Sequence, residues 1–145
     1  MTPEWINALL ASKSFGILAR GLLTFVFWSS GLAKVLDFPL AVAEMETYGL
    51  QPAVPMAITV ILVQLVGSAF VIAGRFVWLG AGALGVFTAL TIPVAHAFWT
   101  MEGDMAFIEM LFVFEHITVI GGLMVVAILW RQSFAARVSS VLNLV

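Results

Sequence analysis

The chain has 145 residues, 63% of them hydrophobic and only 10% charged, with a mean hydropathy of +1.14 and a formal net charge of −2. A soluble domain of this length cannot hide that much apolar surface, so the bilayer is the expected solvent and no separate soluble domain fits. The absence of cysteine excludes a disulfide, a thiolate metal site, a thioether haem link and thiol exchange.

Crossing ~30 Å of hydrocarbon takes ~20 residues in a helix, and lipid cannot satisfy the backbone polar groups of open strands. The expected fold is therefore all-α: a four-transmembrane-helix bundle forming one membrane domain over 1–145, with spans near 17–36, 53–74, 76–99 and 105–130. Short interfacial helices are expected at both termini and in the first outer loop.

At the start, Thr2-Pro3-Glu4 reads as an N-cap followed by proline at the first helical position. Trp5, Ile6, Leu9 and Leu10 then share one face, as in a helix resting on the membrane. Met1 to Ser14 lacks the basic start of a cleavable signal peptide. In the first span Arg20, Thr24, Phe27, Gly31 and Lys34 recur at steps of four and three, which gathers its polar and small residues on one stripe. In lipid such a stripe faces protein, while Arg20 and Lys34 can also snorkel to opposite interfaces. In the outer connection Asp37 can cap a short helix entered through Pro39, with Gly49 before Pro52 as its stop. This helix could be a lid or only a connector.

The second span carries Gln64 near its middle, with Gly67 and Ser68 one turn on. Its four hydrogen-bonding positions cannot be served by lipid, so it either binds something or holds helices together. The third span has Ala81, Gly85 and Ala89 at a small-xxx-small spacing that allows close helix contact. Pro93 frees the carbonyl of Ala89 and predicts a kink just before His96. The fourth span places Glu109, Phe112 and His116 on one stripe, with Glu115 about 100° round from His116. Beyond it Phe134, Val138, Val141, Leu142 and Val145 form an apolar stripe that predicts a second interfacial helix.

Lys13, Arg20, Arg75, Arg131 and Arg137 flank one side of the four-span arrangement, and Lys34 alone the other. Basic residues in short loops stay in the cytoplasm, so the expected placement is a multi-pass protein of the cytoplasmic (inner) membrane, N-in and C-in.

Ionisable groups inside membrane helices are costly and face a partner or a water-filled cavity. The candidate ligand-binding residues are accordingly Lys34, Gln64, His96, Trp99, Glu109, Phe112, Glu115 and His116, around a pocket in the outer half. Helical rise places His96 and His116 roughly 10 Å apart in depth, which disfavours bis-histidine haem. Glu109 and His116, ~10 Å apart on one helix, do not share an ion without a bend, so no metal site is expected. A quinone suits the set better, since its headgroup needs hydrogen-bond partners and a proton route, and histidine titrates near neutrality.

Several short motifs resemble the DoxX family of small four-helix integral membrane proteins. They are Arg20 with Gly31-Leu-Ala-Lys34, Tyr48-Gly49 with the outer-loop prolines, and Gln64-Leu-Val-Gly67 through Gly74-Arg75. They continue with His96-Ala-Phe-Trp99 through Glu102-Gly103-Asp104, and end with Gly121-Gly122-Leu. The resemblance implies a membrane subunit of the kind linked to thiosulfate:quinone oxidoreduction, or a component of complexes resisting oxidative or thiol stress. The sequence departs from the pattern at Gln64, where the family often has Glu, and at Glu115-His116, where Lys-Asn is usual.

The expected function is thus an integral membrane subunit of a redox system, binding a quinone or similar small apolar ligand and working with a protein partner or as a homo-oligomer in the lipid bilayer. The alternatives are a non-catalytic membrane scaffold or assembly factor, and a small-molecule permeation path, which would need an oligomer.

Overall fold

Helices account for all the regular structure among residues 2–142, which the computed structural model describes. In chain order they are α1 (Glu4–Ala11), α2 (Lys13–Leu23), α3 (Phe25–Leu36), α4 (Phe38–Thr47), α5 (Ala53–Ala73), α6 (Val77–Ala95), a 3₁₀ turn (Phe98–Thr100) and α7 (Gly103–Leu142). Three of them are long and apolar enough to cross a bilayer, counting α6 with its 3₁₀ turn; the number rises to as many as five if the bent pairs α1–α2 and α3–α4 each count as one.

The local chemistry explains the breaks. α1 starts one residue later than the Thr2 cap implies: Pro3 occupies the cap, and its carbonyl receives the N–H groups of Ile6 and Asn7. Ser12 ends α1 and caps α2 by accepting from the Phe15 N–H, and the two helices bend by 66°. Between α2 and α3 Thr24 interrupts the helix but bonds to both sides: its N–H donates to Arg20 and its carbonyl accepts from Trp28. The Thr24 hydroxyl also donates to the Arg20 carbonyl at 2.8 Å, a back-bond that bends helices locally.

α4 turns away from α3 by 111° at Asp37, whose side chain accepts from the Leu40 N–H at 3.1 Å, with Pro39 in the first turn. Gly49, at φ 69°, takes the left-handed conformation that lets the Leu50 N–H close back on the Met45 carbonyl. The expected outer-loop helix is therefore present, and Ala41 and Met45 seat it against Ala53 and Ala57 of α5.

The stripe read from the first span faces inward: Thr24, Phe27 and Gly31 are buried, and Arg20 and Lys34 are half-buried near the ends. Phe27 joins Val71, Ala81, Leu84 and Leu123 in the central core. The small-residue stripe of α6 needs correction. Ala81 is buried, but Ala89 is exposed and a Cβ at Gly85 would meet nothing within 4 Å. Close contact with α5 is made instead at Gly80, where an added Cβ would sit 2.6 Å from the Gly67 carbonyl oxygen. Val77, Gly80, Ala81, Leu84 and Thr88 form the buried face.

Two further expectations change. The candidate third span reaches Thr100, but its α-helix stops at Ala95, so His96 lies at the C-cap and Trp99 in the 3₁₀ turn. The C-terminal segment is no separate interfacial helix: α7 runs unbroken for 40 residues, because no proline or glycine interrupts it after Gly122. Val145 of the predicted stripe lies outside the described residues, as do the side chains of Arg137, Val141 and Leu142.

Candidate functional site

The two ends of the bundle differ in how they use their polar groups. At the end holding Arg20, the last turn of α5 exposes carbonyls that have no partner within the helix. Arg20 Nε donates to the Ile72 carbonyl at 3.1 Å, and Trp130 Nε1 donates to the Gly74 carbonyl at 3.2 Å. Side chains from α2 and α7 thus close α5 off, and this end is a clamp.

The α4 end, the outer end of the sequence reading, is open. One wall carries a line of polar contacts that starts at the mouth and descends. Lys34 Nζ lies 2.7 Å from a Glu44 carboxylate oxygen and donates to Ser30 Oγ at 3.3 Å. Gln64 Nε2 donates to the same Ser30 oxygen at 3.3 Å. Gln64 Oε1 and, one turn further, Ser68 Oγ are buried without a hydrogen-bond partner. An unpaired buried polar atom costs about 1–3 kcal/mol, so the bond to Ser30 alone leaves the Gln64 amide incompletely satisfied.

The other wall is aromatic and acidic. His96 Nδ1 lies 2.6 Å from Glu109 Oε2, with both side chains largely buried. The His96 ring packs tilted against Phe112 and edge-on against His116, the latter with ring centroids 4.7 Å apart. His116 Nδ1 donates to the Phe112 carbonyl at 2.7 Å. The depth separation between the two histidines inferred from helical rise therefore does not hold. With α6 ending at Ala95, His96 leaves the helix axis and bridges Glu109 and His116, which lie two turns apart on α7.

Between these walls lies a half-open cavity of about 450 Å³. Of the eight residues singled out from the sequence, Lys34, Gln64, His96, Phe112, Glu115 and His116 line it. Glu109 stands behind His96 as its hydrogen-bond partner. Trp99 is placed elsewhere: the 3₁₀ turn carries it outward, where it is exposed and packs on Phe98. Phe114 faces outward from α7. Among the described residues no group of three His, Cys, Asp or Glu is arranged to hold a metal ion.

Sequence reasoning passed over Ser30 and Thr88. Ser30 precedes Lys34 by one helical turn, a spacing that could have flagged it, whereas Thr88 is hidden in a uniformly apolar helix. Tyr48, also on the lining, has its phenol held above the ordinary range by burial and then by the nearby Glu44 and Glu109 carboxylates. It therefore stays a neutral donor at the mouth. Glu115 and Val119 line both the cavity and a shallow groove on the outer surface of α7, formed with Leu111, Phe114 and Thr118.

Comparison with known proteins is consistent with the motifs and limited in reach. No curated protein and no solved structure matches the chain. The DoxX family model matches residues 16–97, from α2 to just past His96, and so includes Arg20, Lys34, Gln64 and His96 but not α7. More than half of the sequence is covered by that match, and the chain belongs to the DoxX family.

Proposed function

We propose that this protein is a subunit of a membrane redox system and holds a quinone or similar small apolar ligand in the cavity bounded by α3, α5, α6 and α7. The redox role rests on the family resemblance; the ligand rests on the cavity. Its volume falls within the ~300–1,000 Å³ of small-molecule sites, and it combines apolar walls with a few convergent polar groups. The single observation that carries the reading is Gln64: 5% exposed, on the lining, and with its carbonyl oxygen unpaired.

His116→Ala is expected to weaken binding of a short-chain quinone analogue at least about tenfold, as loss of one hydrogen bond to a buried group does. Helicity and thermal unfolding of the purified variant should stay close to those of the parent. Unaltered binding would remove the cavity reading, whereas collapse of the fold would favour the scaffold reading.

The reading also fixes a topology. α2 and α3 together form the first crossing, supported by the backbone bonds that Thr24 makes to Arg20 in α2 and to Trp28 in α3, and by a length from Lys13 to Leu36 of ~36 Å at ~1.5 Å per residue. α1 and α4 lie along opposite interfaces. The cytoplasmic face is the Arg20–Trp130 end, because Lys13, Arg20, Arg75 and Arg131 flank it. Reporters fused after Val145 and within Glu102 to Asp104 are expected to report opposite sides of the inner membrane. Finding both on one side would overturn the four-crossing arrangement. A protein partner or second copy would cover the exposed face of α7, where Glu115 interrupts an apolar surface.

A further inference from the structure

Three sides of the cavity are packed and the fourth is not. α5 lies against α3 and α6, and α6 lies against α7, but among the described residues no extended packing joins α3 to α7. The cause is a change of partner along the first crossing. Towards the Arg20 end α2 leans on α7: a Cβ added at Gly122 would sit 2.7 Å from Leu23 Cδ1. Just past the interruption at Thr24, Phe27 shares the central core with Leu123, and Val119 packs against that core. Beyond Phe27 the helix keeps to α5 instead. Gly31 is seated so closely there that an added Cβ would lie 2.9 Å from Leu65 Cδ2 and 3.2 Å from Gln64 Cβ. A gap between α3 and α7 therefore opens above Phe27 and Leu123, on the side of the cavity away from α5 and α6.

Side chains on both edges of this gap belong to the cavity and to the surface at once. Val26 on α3 and Phe112 on α7 line the cavity, yet they are 52% and 41% exposed. Glu115 and Val119 line it too, and they also border the shallow groove that Leu111, Phe114 and Thr118 continue along α7. Val26 stands close to the midpoint of the Lys13–Leu36 crossing, so the lower part of the gap is at hydrocarbon depth. The mouth has the opposite character. Lys34, Glu44 and Tyr48 line it, with the Lys34–Glu44 ion pair at 2.7 Å. A hydrocarbon chain leaving by the mouth would pass charged groups into water and forfeit the gain of burial. One leaving by the gap stays in an apolar medium throughout.

Building on the reading that the cavity holds a small apolar ligand, we propose that the gap between α3 and α7 is a lateral portal to the bilayer. The ligand is then a membrane-resident amphiphile, with a compact polar head in the cavity and one flexible hydrocarbon chain lying out past Val26, Phe112 and Val119.

The test maps that chain on the unaltered protein in phosphatidylcholine nanodiscs. The probe is a benzoquinone carrying an undecyl chain with a diazirine at its far end, and a phosphatidylcholine with the same diazirine on one acyl chain is run beside it. After photolysis, mass spectrometry of peptides is expected to find the quinone probe on α3 around Val26 and on α7 between Leu111 and Val119. Decyl-benzoquinone held at about ten times its dissociation constant should cut that labelling on the order of tenfold. Competed labelling confined to α4 and Leu50 would mean that the chain leaves by the mouth, which overturns the portal and leaves the cavity reading standing. No reduction by the competitor at any position overturns both readings; the gap then holds bilayer lipid alone, and the phosphatidylcholine probe would mark the same residues.

Discussion

Gly80→Ala is expected to destabilise the folded protein by ~1–3 kcal/mol, the usual cost of forcing atoms into a packed interface. The new Cβ would lie 2.6 Å from the Gly67 carbonyl oxygen and 2.9 Å from the Phe70 Cβ, so backbone has to move rather than a side-chain tip. Gly80→Val should be worse. Gly85→Ala provides the opposite sign, because its Cβ would meet nothing within 4 Å and alanine is the better helix former, worth ~0.4–1 kcal/mol. Unfolding midpoints in detergent micelles check both. Equal damage from Gly80→Ala and Gly85→Ala would mean that the helices meet along the Ala81–Gly85–Ala89 line instead.

The second large effect concerns the pair that fastens the end of α6 to α7. His96→Ala and Glu109→Ala are each expected to lower stability by ~1.5–3 kcal/mol, the range for a hydrogen bond to a charged group. Their side chains are only 19% and 16% exposed, so water is a poor substitute for the missing partner. The double variant should fall well short of the sum, with a coupling energy of ~1 kcal/mol or more. Strict additivity in that cycle would show that the 2.6 Å contact contributes nothing to the fold.

What the sequence disclosed follows from how each helix marks its inner face. The first span has polar and small residues among apolar ones, so the stripe through Thr24, Phe27 and Gly31 could be read directly and is buried. α4 was equally legible, because Asp37, Pro39 and Gly49 are local stop and start signals that act through the backbone. α6 offers no such contrast. It is apolar all round, so the period alone cannot separate the Gly80–Leu84–Thr88 line from its neighbour one residue on.

The site was legible in its membership more than in its geometry. Buried polar groups in lipid identify themselves by type, which is why Lys34, Gln64, His96, Glu115 and His116 could be picked out and share one cavity. Their mutual distances depend on where α6 stops. Extending that helix to Trp99 placed His96 too far from His116, whereas the C-cap at His96 frees the ring to lie between Glu109 and His116. Ser30, which joins Lys34 to Gln64, was passed over because its one-turn spacing from Lys34 gains meaning only once the facing helix is known.

Glu115 and Val119 border both the cavity and the outward groove of α7, so the two share a wall on the side where α7 is exposed. If the proposed ligand entered across that wall, it would be drawn from the bilayer, which would act as its reservoir. Occupancy would then track mole fraction in the lipid, and the aqueous concentration would matter only through partitioning. An added methylene on the ligand's tail, worth ~0.8 kcal/mol on transfer out of water, would lower an apparent dissociation constant expressed per volume of buffer about fourfold. The same constant expressed per lipid would hardly change. Diluting the protein with empty vesicles would strip the ligand away even at constant bulk concentration.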